Sequence, residues 1–501
     1  MGFSFDHLLQ GFATALSLQN LFWALVGCFI GTLVGVLPGI GPASGIAILL
    51  PLTTVLPPTS AIIMMAAIYY GAMYGGSTTA IVVNIPGEAS SVPTAIDGYE
   101  MAKQGKAGPA LAICAISSFV AGTLGLIGLT FFAPLLAEVA VTFGPPEYFA
   151  LMFMALTLII SLSGRALLKG VIAMALGLTT ALIGQDPLTG AARLTFGYPK
   201  LLAGVDFISV IVGLFAISEV MINVESRISA ISQKIGNWMP SWADIKQCML
   251  PMIRCSGVGF FLGLLPGVTP SVTTFVAYDL EKRMSKHPER FGKGAIEGVA
   301  APEGANNATS TAGFVPLFSF GIPTAPSMAV LLGGLMMYGL QPGPMLFKEN
   351  PEFVWAIIAS MYIGNIMLIV LNLPLVGMWA RICVIPFYIL GPLIVFFSVL
   401  GTYSIRFLAW DVWVMTLFGL IGYFMRKFGF PIAPMVLSCV IAQMMEMSLG
   451  QSMLMSRGSP LILFTRPISG AFMLLAFLSI ARGIWIQVRT KAPEVAIEET
   501  D

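Results

Sequence analysis

The chain has 501 residues, 57% of them hydrophobic and only 10% charged, and its mean hydropathy is +0.89. A soluble protein carries about a quarter charged residues, so this composition excludes a water-soluble globular domain and predicts an all-α polytopic membrane protein. With a net charge of +1 and no basic patch interleaved with aromatics, no nucleic-acid partner is expected.

The first 20 residues contain Asp6 and His7 and lack a basic start or a small-residue cleavage site, so no cleaved signal peptide is expected. Apolar runs near the ~20 residues needed to cross a bilayer recur at 14–36, 58–76, 109–136, 145–163, 166–184, 205–224, 299–320, 352–376, 387–404, 411–428, 431–450 and 461–486, about twelve spans. Two proline-interrupted segments, 37–56 and 255–278, are left out of that count. The second is basic on both flanks, with Arg227, Lys234, Lys246 and Arg254 before it and Lys282, Arg283, Lys286, Arg290 and Lys293 after it. Cytoplasmic loops concentrate Lys and Arg, so this segment is predicted to dip in and return as a re-entrant hairpin. With both chain termini in the cytoplasm, 19 of the 25 Lys and Arg fall inside and six outside, at Arg193, Lys200, Lys348, Arg406, Arg457 and Arg466.

The interrupted segments carry matching stretches, Gly35–Pro42 (GVLPGIGP) and Gly263–Pro270 (GLLPGVTP). Two prolines and a glycine pair forbid a continuous helix. In lipid such a break is tolerated only where it is buried in protein or lines a cavity. Five predicted crossings separate the copies, so the second enters upside down, the inverted-repeat pattern of many secondary transporters. A second pair agrees: Asn84-Ile85-Pro86-Gly87 and Phe320-Gly321-Ile322-Pro323. The offsets are 228 (263 − 35) and 237 (323 − 86). The predicted organisation is a first half over 1–224, a basic cytoplasmic connector over 225–254, and a second half with additional C-terminal helices over 255–501.

Small, hydroxylic and amide residues surround the breaks: Ser44, Ser77, Thr78, Thr79, Asn84, Thr269, Ser271, Thr273, Asn306, Asn307, Thr309, Ser310 and Thr311. Unwound backbone near Gly39, Gly267 and Gly321 offers carbonyls to a cation such as Na+, and half-helix N-termini offer N–H groups to an anion. The plainer alternative for any one Ser or Thr is a helix contact. Of the acids near the motifs, Glu303 stands out, beside Asn306 and Asn307; an acid at membrane depth is a functional candidate, and an interfacial helix-end carboxylate is the alternative. Asp279, Glu281 and Glu297 are expected in the solvated basic loop. Cys28, Cys114, Cys248, Cys255, Cys383 and Cys439 are scattered without a CxxC and are expected as small buried hydrophobes. No HExxH, Walker A or GxSxG motif is present, so neither an enzyme nor an ATP-driven pump is expected.

At these residues the sequence resembles the large membrane subunit of the tripartite tricarboxylate transporters, the TctA family. The likeness lies in Gly31–Thr53 (GTLVGVLPGIGPASGIAILLPLT), Asn84–Gly108 (NIPGEASSVPTAIDGYEMAKQGKAG) and Gly263–Pro344, which includes APEGANNA, GIPTAPSMAVLLGG and GLQPGP. The resemblance implies an inner-membrane carrier that works with a small membrane subunit and a periplasmic binding protein, takes up a di- or tricarboxylate, and runs on an ion gradient with no other cofactor. It places substrate and ion at Pro38, Gly39, Gly41, Pro42 and Ser44; at Asn84, Pro86 and Gly87 up to Glu88; at Pro266, Gly267, Thr269, Pro270 and Ser271; at Glu303, Asn306 and Asn307; and at Gly321, Ile322, Pro323 and Thr324. Family members often read Gly-Ile-Pro-Gly where this chain has Gly321-Ile322-Pro323-Thr324, an added side chain that would narrow the site or donate a hydrogen bond. No Arg or Lys lies within the motif cores, so helix N-termini, amides, hydroxyls and co-bound cations would neutralise the substrate. That favours Na+ over H+ coupling, with Glu303 keeping the proton open. A stand-alone carrier, exporter or channel without a binding protein is the alternative.

Overall fold

The computed structural model describes residues 4–37, 40–162, 167–225, 239–382 and 387–489, in two compact units. The first comprises 1–142 and 196–424. Its helices are α1 (Phe5–Ala15), α2 (Leu18–Val36), α3 (Gly41–Leu49), α4 (Pro58–Val83), α5 (Val92–Lys103) and α6 (Ala107–Ala140). The second unit holds α7 (Pro145–Leu162), α8 (Leu167–Ala181) and a two-stranded antiparallel hairpin, β1 (Gly184–Gln185) with β2 (Ala192–Arg193). The chain then returns to the first unit with α9 (Phe207–Glu225), followed by α10 (Trp242–Gly263), α11 (Pro270–Met284), α12 (Glu297–Ala312), α13 (Phe314–Phe320), α14 (Pro326–Met337), α15 (Pro344–Glu349), α16 (Pro351–Asn372), α17 (Val376–Ile382), α18 (Phe387–Arg406) and α19 (Ala409–Lys427). The second unit closes with α20 (Ile432–Met455), α21 (Ile462–Thr465) and α22 (Pro467–Arg489).

A helix occupies every one of the twelve predicted spans. Among the described residues, α2, α6, α9, α16, α18, α20 and α22 are long and apolar enough to cross a membrane, and α3, α7, α8 and α14 are shorter apolar helices. This is an all-α polytopic membrane protein. The helix starts follow local chemistry. Ser17 caps α2, and Ser241 with Asp244 forms a capping box at α10. That box starts α10 inside the stretch expected as a connector, whose residues 226–238 lie outside the described residues. Pro42, Pro58 and Pro270 open α3, α4 and α11 in the first turn, where a missing N–H costs nothing.

Two glycine seams bring backbones together in the first unit. On α2, a Cβ at Gly31 or Gly35 would strike Ile68 or Ala72 of α4; on α10, a Cβ at Gly259 or Gly263 would strike Ala305 or Thr309 of α12. Without a hydrophobic force between helices in lipid, small residues that permit close approach supply the packing energy. The two seams are related by the sequence offsets themselves: 259 − 31 and 263 − 35 are 228, while 305 − 68 and 309 − 72 are 237.

Candidate functional site

The breaks have defined backbones. Helix α2 ends at Val36, α3 begins at Gly41 with φ 59°, and Pro38 and Gly39 lie outside the described residues. Helix α4 ends on Asn84 in the left-handed conformation (φ 58°), and α13 ends the same way on Gly321 (φ 71°). In both, a six-residue hydrogen bond seals the end: Ile85 N to Thr79 O at 3.4 Å and Ile322 N to Pro316 O at 3.2 Å. Four residues on, Glu88 (φ −145°, ψ 163°) and Ala325 (φ −143°, ψ 162°) share one extended geometry.

Each break docks on its neighbour. Gly87 donates its N–H to Gly76 O at 3.1 Å, and Gly267 donates to Thr324 O at 3.2 Å. A Cβ at Gly87 would lie 2.7 Å from Gly76 Cα and would also strike Gly35 O; a Cβ at Gly313 would lie 2.7 Å from Thr324 Oγ1. Thr324 thus fills, against Gly313, the space that Gly87 leaves against Gly76. The added hydroxyl of the GIPT motif is buried in this packing.

Side chains from four helices meet beside the first break. Asn306 on α12 donates from Nδ2 to Glu88 Oε1 at 3.3 Å and to Met73 O at 3.5 Å. Its Oδ1 is buried without a hydrogen-bond partner, as is the hydroxyl of Ser91 at the start of α5. Neither α5 nor α14 has a side-chain cap at its N-terminus. Glu303, one turn before Asn307, is fully buried. Its Oε1 accepts from the hydroxyls of Ser77 on α4 and Thr94 on α5, the latter at 2.6 Å. Oε2 accepts from Ser118 on α6 at 3.2 Å, and Ser118 accepts from Asn307 Nδ2 at 2.8 Å. Glu303 is therefore an interior mid-helix group and not the helix-end carboxylate that the sequence left as its alternative.

The predicted residues divide. The fold joins Asn306 to Glu88, Gly267 to Thr324, and Asn307 through Ser118 to Glu303. Gly41, Pro42 and Ser44 belong to α3, with Ser44 buried; Thr269, Pro270 and Ser271 open α11. Pro86, Pro266, Ile322 and Pro323 shape the breaks, and Asn84 itself is exposed at the end of α4. Thr94 and Ser118 went unnoticed in the sequence. A Ser pair at 117–118 inside an apolar helix was the one local hint.

Glu281 departs from expectation, and a second acid, Asp97, takes a structural role. Glu281, expected in a solvated loop, is 4% exposed and pairs with Arg254, because α11 carries it back onto α10. Asp97 on α5 is fully buried. Its Oδ1 accepts the N–H groups of Gly292, Gly294 and Ala295 at 2.8–2.9 Å, and its Oδ2 accepts Tyr278 OH at 2.8 Å. Asp97 ties the loop after α11 to α5. Among the described residues no group of three His, Cys, Asp or Glu could hold a metal ion, and Cys28, Cys114, Cys248, Cys255 and Cys439 are in no disulfide, while Cys383 lies outside the described residues.

Apolar spanning helices, glycine seams and polar side chains gathered at helix breaks define a multi-pass membrane protein with a polar interior. The chain belongs to the tripartite tricarboxylate transporter TctA family, whose sequence model matches residues 21–437. It is 43% identical over 497 residues, 99% of both chains, to an Agrobacterium vitis protein described as an uncharacterized 52.8 kDa protein in the TAR-I ttuC' 3' region. It is 39% identical over 241 residues, 48% of this chain and all of the relative, to an uncharacterized protein in the TAR-II ttuC' 3' region of the same organism. No solved structure matches the chain.

Proposed function

We propose that this chain is the large inner-membrane subunit of a binding-protein-dependent secondary transporter that imports citrate-like di- or tricarboxylates on a cation gradient. Its partners would be a small membrane subunit and a periplasmic binding protein, with both chain termini in the cytoplasm. The observation that carries this reading is the Asn306–Glu88 contact at the break after α4, in a chain of a transporter family. Around it lie Ser91, with an unused buried hydroxyl, and the start of α5, which has no side-chain cap. These are groups suited to a carboxylate when no Lys or Arg is at hand: the partial positive charge of a helix N-terminus and a hydroxyl donor. Carboxylate groups of the substrate bind here, and alternating access carries them across.

The two-half organisation into inverted repeats, each with a re-entrant hairpin, is part of this reading. Support comes from the shared dihedrals at Asn84 and Gly321, at Glu88 and Ala325, and from the two seams at offsets 228 and 237. The frame is matched but its chemistry is not, since Ala325 stands opposite Glu88.

The test is uptake of labelled citrate and a dicarboxylate panel into proteoliposomes holding this chain and its small partner, with and without the binding protein. Na+ gradients and pH gradients are imposed in turn. Uptake that requires the binding protein and an inward cation gradient supports the reading. Equal uptake without the binding protein makes the chain a stand-alone carrier, and absence of flux with every carboxylate overturns it.

A further inference from the structure

Glu303 is a second carboxylate in the same region, built for a different ligand from the one Glu88 faces. Its partners are hydroxyls on three other helices, Ser77, Thr94 and Ser118, with the Cys114 thiol on α6 beside them. No Lys, Arg or His forms an ion pair with it among the described residues. The titratable groups that face it are Tyr74 on α4, Cys114 on α6 and Glu88 in the break, none of them basic. Taking a carboxylate out of water costs several kcal/mol when no cation accompanies it. Hydroxyl donors offset part of that cost and supply no charge. The shell is three hydroxyls and the Cys114 thiol around one formal negative charge. Divalent ions such as Ca2+ are held by more ligands, commonly several carboxylates and carbonyls. A single formal charge calls for a single monovalent cation. The break carbonyls expected to hold it are already engaged in part, Thr324 O by Gly267 N–H and Pro316 O by Ile322 N–H.

We propose that Glu303, with the hydroxyls of Ser77, Thr94 and Ser118, binds the monovalent cation whose gradient drives transport. The inference rests on the transport reading above and names the cation site within it. Thr94 lies in the first turn of α5, directly after Ser90 and Ser91. Asn307 reaches the Glu303 shell while its neighbour Asn306 reaches Glu88. The cation therefore holds the start of α5 against α12 and so completes the cradle for the anion. Each ligand favours binding of the other, as thermodynamic linkage requires.

The experiment compares wild type with Glu303→Gln, which keeps the shape and removes the charge, and with Ser118→Ala. First, the purified chain in detergent is melted across a Na+ series balanced with choline, at several fixed pH values. Wild type is expected to gain thermal stability with Na+, if Na+ is the cation, or with falling pH at constant Na+, if the proton is. Glu303→Gln loses that dependence, and Ser118→Ala moves its midpoint by about tenfold in cation concentration. Second, labelled citrate uptake is read as the ratio with and without the cation gradient, about tenfold or more in wild type and near one in Glu303→Gln. The melting series requires no transport, so it decides the cation site even if citrate is not carried. A cation dependence in Glu303→Gln equal to that of wild type, in melting or in the uptake ratio, overturns the proposal.

Discussion

Asn306 and Glu88 are joined across 3.3 Å between a helix of one break system and the loop of the other. The same Nδ2 reaches Met73 O, so a single carboxamide fixes the loop, α4 and α12 together. Asn306→Ala removes the donor to both acceptors, a change worth about 1–3 kcal/mol where the acceptor stays buried. Citrate uptake is expected to fall about tenfold or more while the protein still elutes as a folded species. Asn306→Asp should be worse, because it sets a second carboxylate against Glu88. Uptake rates beside size-exclusion profiles check both.

Gly87 has no room for a side chain. A Cβ there meets Gly76 Cα at 2.7 Å and the Gly35 carbonyl oxygen, backbone atoms that move only if the α2–α4 seam opens. Gly87→Ala is expected to cost about 1–3 kcal/mol by overpacking and to reduce uptake sharply. Thr324→Ala, at the matching position, removes a packed hydroxyl without any clash and should cost less. Thermal unfolding of the two variants side by side tests the ranking.

Asp97 gathers four donors, and Asp97→Ala strands all of them. Each buried donor left unpaired costs about 1–3 kcal/mol, so a loss of at least about 3 kcal/mol is expected, visible as a large drop in melting temperature. Tyr278→Phe removes one donor and should cost about 1 kcal/mol. In the double variant the Tyr278→Phe cost should shrink towards zero, since its partner is already gone.

In the hairpin of the second unit, the backbone N–H groups of Thr189 and Leu188 hold the Asp186 carboxyl below its ordinary value of 3.8. Arg193, paired with Glu446 and Asp186, adds to that shift. A group depressed in the folded state contributes stability above its unfolded value and loses it as pH falls through the folded one. The hairpin should therefore keep its protection near neutrality and loosen progressively below about pH 4. Hydrogen exchange at the Leu188 and Thr189 amides reads this directly. Asp186→Asn should show faster exchange at neutral pH and no further acid step of this origin.

The backbone plan is legible in the sequence. Lipid leaves no water to satisfy peptide groups, so each crossing must be a helix and each interruption must be buried. That makes hydropathy, the Pro–Gly breaks at 38–42 and 266–270 and the Asn84 and Gly321 ends local signals. Glu303 could be singled out because an acid is rare in such a segment. Helices α5 and α14 escaped the count because they are short, 12 residues each.

The side-chain shell around Glu303 belongs to tertiary structure alone. Ser77, Thr94 and Ser118 come from three helices with no shared period, and nothing in their spacing says that they converge on one carboxylate. The same holds for Asp97, whose partners lie almost two hundred residues away, and for Glu281, which looks solvated until α11 folds back onto α10. Backbone hydrogen bonding is satisfied within a few residues and so leaves its mark in composition. Side-chain pairing across helices depends on which faces the glycine seams bring together, and only the packed chain decides that.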